Sequence, residues 1–167
     1  AYARKNNHPK EDRYAFLYDV KSFFFSYPII ASNGGYIFND TAKGLDIFDI
    51  GLANEGAVKA TNLLYKLTKS GIIPASTDRS IAFGKMKEGK LAMTIDGPWA
   101  LEDLKKSKIN YAIATIPTVY GHKATPLVGT HGFIIRRSSK NRDLAKEFIE
   151  NFLVSKEGII SLYNKDP

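Results

Sequence analysis

The segment Leu91-Ala-Met-Thr-Ile-Asp-Gly-Pro-Trp-Ala100 reads as a short apolar strand that runs into a turn and then a helix. Gly97 suits a backbone turn that a residue with a Cβ would resist. Pro98 suits the first position of a helix, where its missing N–H costs nothing. Trp99, the only tryptophan of the chain, is therefore predicted on the first turn of a helix at the carboxyl end of a strand. In open α/β sheets that is where ligands bind. A large flat ring at such a place is a platform rather than a catalytic group.

Working outward, strand and helix signals alternate. Tyr14–Asp19 reads as a strand. Ser22–Ala31 is strongly apolar and ambiguous in type; as a helix it would be capped by Ser22 and bent by Pro28. Asn33-Gly-Gly35 is a stop. Tyr36–Phe38 and Leu45–Ile50 read as short strands around the polar turn 39–44. Asn54–Ser70 is the clearest helix: Ala57, Ala60, Leu63, Leu64 and Leu67 share one face, and Gly71 ends it. Thr77 or Asp78 caps a further helix through Lys87, with Ile81, Ala82 and Met86 inward and Gly89 as its stop. Tyr111–Ile116 and Gly132–Arg136 read as strands. Asn141–Leu153 is an amphipathic helix with Leu144, Ala145, Phe148 and Phe152 on one side, and Ser155 starts a last short helix. Strands separated by helices predict an α/β fold with a largely parallel sheet.

Composition narrows the function classes. The 167 residues suffice for one domain or one lobe with a core of its own. No apolar run approaches the roughly 18 residues of a membrane span. Without cysteine there is no disulfide framework and no thiolate chemistry. The chain opens without Met at Ala1 and stops at Lys165-Asp-Pro167, and is read as a fragment. The net charge of +7 lies entirely in residues 51–167, since residues 1–50 hold six basic and six acidic side chains. A basic domain invites a nucleic-acid reading. The cations, however, are scattered over helices and turns, as in Lys85-Met-Lys87 and Arg136-Arg137, with no nucleic-acid motif beside them. They read as a solvated surface.

Reactive constellations are missing. There is no G-x-S-x-G elbow, P-loop or G-x-G-x-x-G motif. His8, His122 and His131 lie far apart with no metal-ligand spacing; each reads as structural or solvent-facing. No metal or other cofactor is expected. Asp96 beside the platform could serve as a general acid or base, bond a ligand hydroxyl, or cap the next helix. Glycoside hydrolysis wants two carboxylates, and no second one stands out. The other notable group is Phe23-Phe24-Phe25 with Tyr27. Three adjacent residues on a helix cannot all face one way, so one or two are predicted in the core and the rest at solvent or a cleft. Exposed rings near Trp99 would form an apolar wall for a sugar, whose C–H faces stack on aromatic rings.

Three segments carry a resemblance: Phe24-Phe-Ser-Tyr-Pro-Ile-Ile-Ala-Ser-Asn-Gly-Gly-Tyr-Ile-Phe38, Met93-Thr-Ile-Asp-Gly-Pro-Trp99 and Leu144-Ala-Lys-Glu-Phe-Ile-Glu-Asn-Phe-Leu153. Together, from about Phe16 to Pro167, they resemble the maltose/maltodextrin-binding proteins, the extracellular solute-binding components of ABC sugar importers. The resemblance implies two periplasmic-binding-protein-like lobes (type II) with the ligand between them, an arrangement that this chain holds only in part. Residues 1–128 would be the second, sugar-binding lobe, 129–138 a hinge-crossing strand, and 139–167 helices of the first lobe. It further implies a stacking role for Trp99 and an aromatic wall at Phe24 and Phe25. Position 24 is Phe where the well-known maltose binders have Tyr. Ser22 stands where they carry a Glu that bonds the sugar.

The implied function is carbohydrate binding without chemistry, in the periplasm or outside the cell. The ligand would be maltose, a maltodextrin or another neutral oligosaccharide. The partners would be the remaining lobe of the same protein and the importer's membrane permease, with no nucleic acid. A lone lobe exposes its partner's interface, so self-association is expected of this chain. The competing readings are a glycoside hydrolase acting through Asp96 and a basic nucleic-acid module.

Overall fold

The computed structural model describes residues 2–129 and 132–165. Contacts divide the chain into two units, Ala1–Leu127 and Val128–Pro167. In the first unit, helix α1 (Tyr2–Asn6) leads through a 3-10 turn to strand β1 (Tyr14–Phe16), which precedes helix α2 (Phe23–Ser32). A hairpin of β2 (Asn39–Thr41) and β3 (Gly44–Asp46) comes next, followed by helices α3 (Glu55–Lys69) and α4 (Arg79–Lys87). Strand β4 (Leu91–Met93), a 3-10 turn at Pro98–Ala100 and helix α5 (Leu101–Lys106) complete its regular elements.

The helices start where local chemistry lets them. Asn54 is the N-cap of α3 and its side chain accepts from the Ala57 amide; Asp78 does the same for α4 through the Ile81 amide. Gly71 and Gly89 follow those helices at φ 72° and 69°, the left-handed geometry that glycine adopts without strain. On α3 the buried residues are Ala57, Ala60 and Leu64, with Leu63 and Leu67 partly buried. On α4 Ala82 and Phe83 are buried while Ile81 is exposed. The inward face of α4 is thus turned by one residue from the sequence expectation. Phe83 packs with Ala100 and Leu104 of the following turn and helix, and a large ring outcompetes Ile81 for that space.

β1 and β4 pair in parallel, Tyr14 opposite Leu91 and Phe16 opposite Met93. Leu17, Tyr18, Phe25, Ile73, Ala82 and Leu91 form the core over this pair. Burial raises the Tyr18 phenol above its ordinary pKa, and its hydroxyl lies 3.4 Å from that of Ser26, which donates to the Val20 carbonyl. A second cluster, Ile29, Ile30, Ala57, Ala60 and Leu64, joins α2 to α3. Pro28 sits inside α2 and cannot donate to the Phe24 carbonyl.

The α/β character is present, but the parallel sheet is smaller than expected. Among the described residues the sheets are the parallel pair β1–β4 and the antiparallel hairpin β2–β3. The hairpin turns at Ala42-Lys43, so its strands begin inside the stretch expected to be the turn. The stretches 111–116 and 132–136 form no strands. A strand persists only when a neighbour takes up its N–H and C=O groups and its apolar side chains are covered; Ile113 and Ile134 are exposed. Residue 131, the third histidine, lies outside the described residues.

The second unit consists of α6 (Arg142–Phe148), a π-helical turn at Ile149–Leu153 and α7 (Lys156–Lys165). Phe148 and Phe152 stack with centroids 5.7 Å apart, as their shared face predicts. No described residue of this unit is buried, so the unit does not by itself cover its apolar stripe.

Asp12 ties the start of the chain to the α4–β4 connection through ion pairs with Lys85 and Lys90. The Lys85 hydrogen bond holds the Asp12 carboxyl below its usual 3.8. A carboxylate with a lowered folded pKa stabilises above the unfolded value and loses that contribution as pH falls through the folded one. Asp12→Asn should therefore lower the melting temperature slightly at pH 7, and the gap to the parent should narrow as pH falls below the ordinary 3.8. Thermal melts of both chains at pH 7 and pH 2.5 measure this. A gap that is constant with pH would show that the pair makes no ionic contribution.

Candidate functional site

Parallel pairing sets the carboxyl ends of β1 and β4 side by side. The chain leaving β1 turns at Asp19, whose carboxylate accepts from the Ser22 amide at 3.2 Å, and enters α2. The chain leaving β4 passes Asp96 and Gly97 and enters the Pro98–Ala100 turn. Two helix starts therefore meet, carrying Phe24 and Phe25 on one and Trp99 on the other. The Phe24 and Trp99 centroids are 5.8 Å apart, tilted by 47°. Phe25 lies edge-on to Phe24 at 5.5 Å and 6.4 Å from Trp99. These spacings fall in the range where aromatic rings attract one another.

The three rings differ in what they offer to solvent. Trp99 is 55% exposed and Phe24 43%, whereas Phe25 is 9% exposed and belongs to the core over the parallel pair. Phe23 is also exposed, but faces Tyr27 at 5.3 Å instead of the Trp99 group. Ser22 is the N-cap residue of α2 and half-buried; its hydroxyl makes no capping bond. Of the four residues singled out from the sequence, three form one cluster and Ser22 stands at the start of the helix that carries two of them.

Asp96 was missed as a structural anchor. Its Oδ1 accepts from the Gly97 amide and from the Trp99 indole Nε1–H, both at 2.8 Å. Arg79 Nε lies 3.0 Å from each of its carboxylate oxygens. Asp96 is not the cap of the next helix; Gly97 holds that position. Gly97 itself has φ −107°, an ordinary extended geometry, so the sequence argument from backbone freedom does not apply. The reason for glycine is space: a Cβ there would overlap the outer atoms of the Trp99 ring. No local signal points to Arg79, which lies 17 positions before Asp96, on α4.

Arg79 beside the wall is paired with Asp96, so the two charges there offset one another. A separate depression of about 340 Å³ lies between α2 and α3, lined by Val20, Phe23, Leu64 and Tyr65 among others. It includes neither Phe24 nor Trp99 and is not the aromatic site. Among the described residues no group of three His, Asp or Glu could hold a metal ion, and no helix is long and apolar enough to cross a membrane.

Comparison with known proteins gives this arrangement a context. The chain is 35% identical over 155 residues to the maltooligosaccharide ABC transporter solute-binding lipoprotein of Streptococcus pneumoniae (strain ATCC BAA-255 / R6), an alignment that covers 90% of this chain and 36% of that protein. It is 35% identical over 140 residues to the maltodextrin-binding protein MdxE of Bacillus subtilis (strain 168), covering 81% of this chain and 33% of that one. The galactooligosaccharide-binding protein of the same organism is 32% identical over 141 residues, covering 81% and 34%. The chain therefore spans about a third of the length of these relatives. The family model for bacterial extracellular solute-binding proteins matches residues 2–159. On that match, which takes in both helix starts of the aromatic cluster, the chain belongs to the bacterial extracellular solute-binding protein family.

Proposed function

We propose that this chain supplies one wall of the sugar-binding cleft of an ABC importer's extracellular solute-binding protein, with a maltodextrin as ligand. The observation that carries the reading is the pair of half-exposed rings, Phe24 and Trp99, brought 5.8 Å apart by the parallel pairing of β1 with β4. Such a pair meets the C–H face of a pyranose, and its lack of free charge favours a neutral sugar over a phosphorylated or acidic one. Phe25 backs Phe24 from the core.

In this reading residues 1–128 belong to the second lobe, 129–138 cross the hinge and 139–167 pack on the first lobe. The exposed stripe around Phe148 and Phe152 fits that assignment, since it asks for a cover. Sugar would close the two lobes by hinge motion, and the closed form would dock on the membrane permease. No catalysis is proposed: the Asp96 carboxylate is taken up by three donors, and acid–base cleavage of a glycoside needs a second carboxylate.

Calorimetric titration of the two-lobed protein with maltose, maltotriose and a sugar phosphate tests the ligand class. Neutral glucans should bind best. Ser22→Glu should tighten maltose binding by about 1 kcal/mol, through a charge-assisted hydrogen bond to a sugar hydroxyl. Its folding cost should be small, because the Ser22 hydroxyl caps nothing. Tightest binding of the sugar phosphate to the parent protein would sink the neutral-glucan assignment.

A further inference from the structure

The Trp99 ring combines two properties that rarely coincide on a surface: it is more than half exposed, and its azimuth is fixed at several points. Its Nε1–H is held by Asp96 Oδ1 at 2.8 Å, and the same oxygen accepts from the Gly97 amide. The outer edge of the ring lies against Gly97, where only a missing Cβ leaves room. The carboxylate is in turn held by Arg79, the first residue of α4 after its cap. The Asp96 side chain is 9% exposed. The Arg79 guanidinium lies over the buried Phe83 ring, 5.1 Å from its centroid. The chain of contacts therefore runs from the α4 core through Arg79 and Asp96 to the indole.

From this geometry we infer that Arg79 is a positioning residue for the ligand wall, acting through Asp96 to preset the Trp99 ring before ligand arrives. The inference rests on the sugar-wall reading above and adds to it a residue in another element. It has a chemical corollary. With its only donor engaged by Asp96, the indole presents a face and no hydrogen bond. Phe24 and Phe25 have no polar atom either, so this wall recognises C–H surface alone. A preset ring also spares the ordering of one large side chain on binding, which corresponds to about 2- to 10-fold in affinity.

Trp99 is the only tryptophan of these 167 residues, so tryptophan emission of this chain by itself reports this ring directly and needs no label. In the full chain, Arg79→Met keeps an unbranched apolar stem over Phe83 and removes the guanidinium. Time-resolved fluorescence anisotropy should then gain a fast component, and near-ultraviolet dichroism from the indole should weaken. Maltotriose affinity, read by titration of the two-lobed protein, should fall about 2- to 10-fold. Arg79→Lys should restore part of the loss, since an ammonium keeps the charge but not the forked geometry. Asp96→Asn keeps an acceptor for the indole and removes the ionic grip; its ring should be intermediate in mobility, and it serves in place of Arg79→Met should that variant not fold. Unchanged anisotropy in both Arg79→Met and Asp96→Asn overturns the inference. So does a loosened ring with unaltered maltotriose affinity. Failure of the sugar reading has a different signature: maltotriose does not bind the two-lobed parent protein, while the variants of this chain still loosen the ring.

Discussion

Trp99→Ala should weaken maltodextrin binding by about 1–3 kcal/mol, roughly 5- to 150-fold, in the two-lobed protein proposed above. Folding should change far less, because 55% of the ring is already in water and its polar contact is with a carboxylate that Arg79 still holds. Titration with maltotriose and a parallel thermal melt separate the two effects. Equal affinity combined with a large loss of stability would return Trp99 to the core and remove the basis of the ligand site. Phe24→Ala should behave like Trp99→Ala, on the same argument from exposure.

Phe25→Ala should do the opposite. The side chain is 9% exposed and packs in the cluster with Leu17, Tyr18, Ile73, Ala82 and Leu91. Emptying that space should cost about 3–5 kcal/mol of stability, the range for large aromatic truncations in a core. For a small domain with a total of about 5–15 kcal/mol this is a large share. Urea denaturation should show the midpoint shift. A Phe25→Ala chain as stable as its parent, but unable to bind sugar, would make Phe25 a ligand contact instead of a support.

The contrast between two neighbouring residues of one triplet could be foreseen in kind but not in detail. Phe23-Phe24-Phe25 must spread over about 200° of a helix, so some rings had to be inside and some outside. Which ring entered the core depended on how α2 packs over the parallel strands, and that is a property of elements far apart in the chain.

The amino-acid sequence alone determined what acts within a turn or two: the Asn54 and Asp78 caps, the Gly71 and Gly89 stops, the apolar face of α3, and the strand, turn and helix around Trp99. The ring cluster was legible through the family resemblance, which implied an aromatic wall at Phe24 and Phe25 together with a stacking Trp99. Tertiary structure decided the rest. Arg79 meets Asp96 across a separation of 17 residues, Gly97 is glycine because a ring folds back over it, and Ile81 yields the inside of α4 to Phe83. The apolar stretches at 111–116 and 132–136 carry strand signals yet form no strand, because pairing and burial need a neighbour that local sequence does not specify. Caps and stops are satisfied by atoms a few bonds away, whereas clamps, close approaches and sheet partners require residues that only the folded chain brings together.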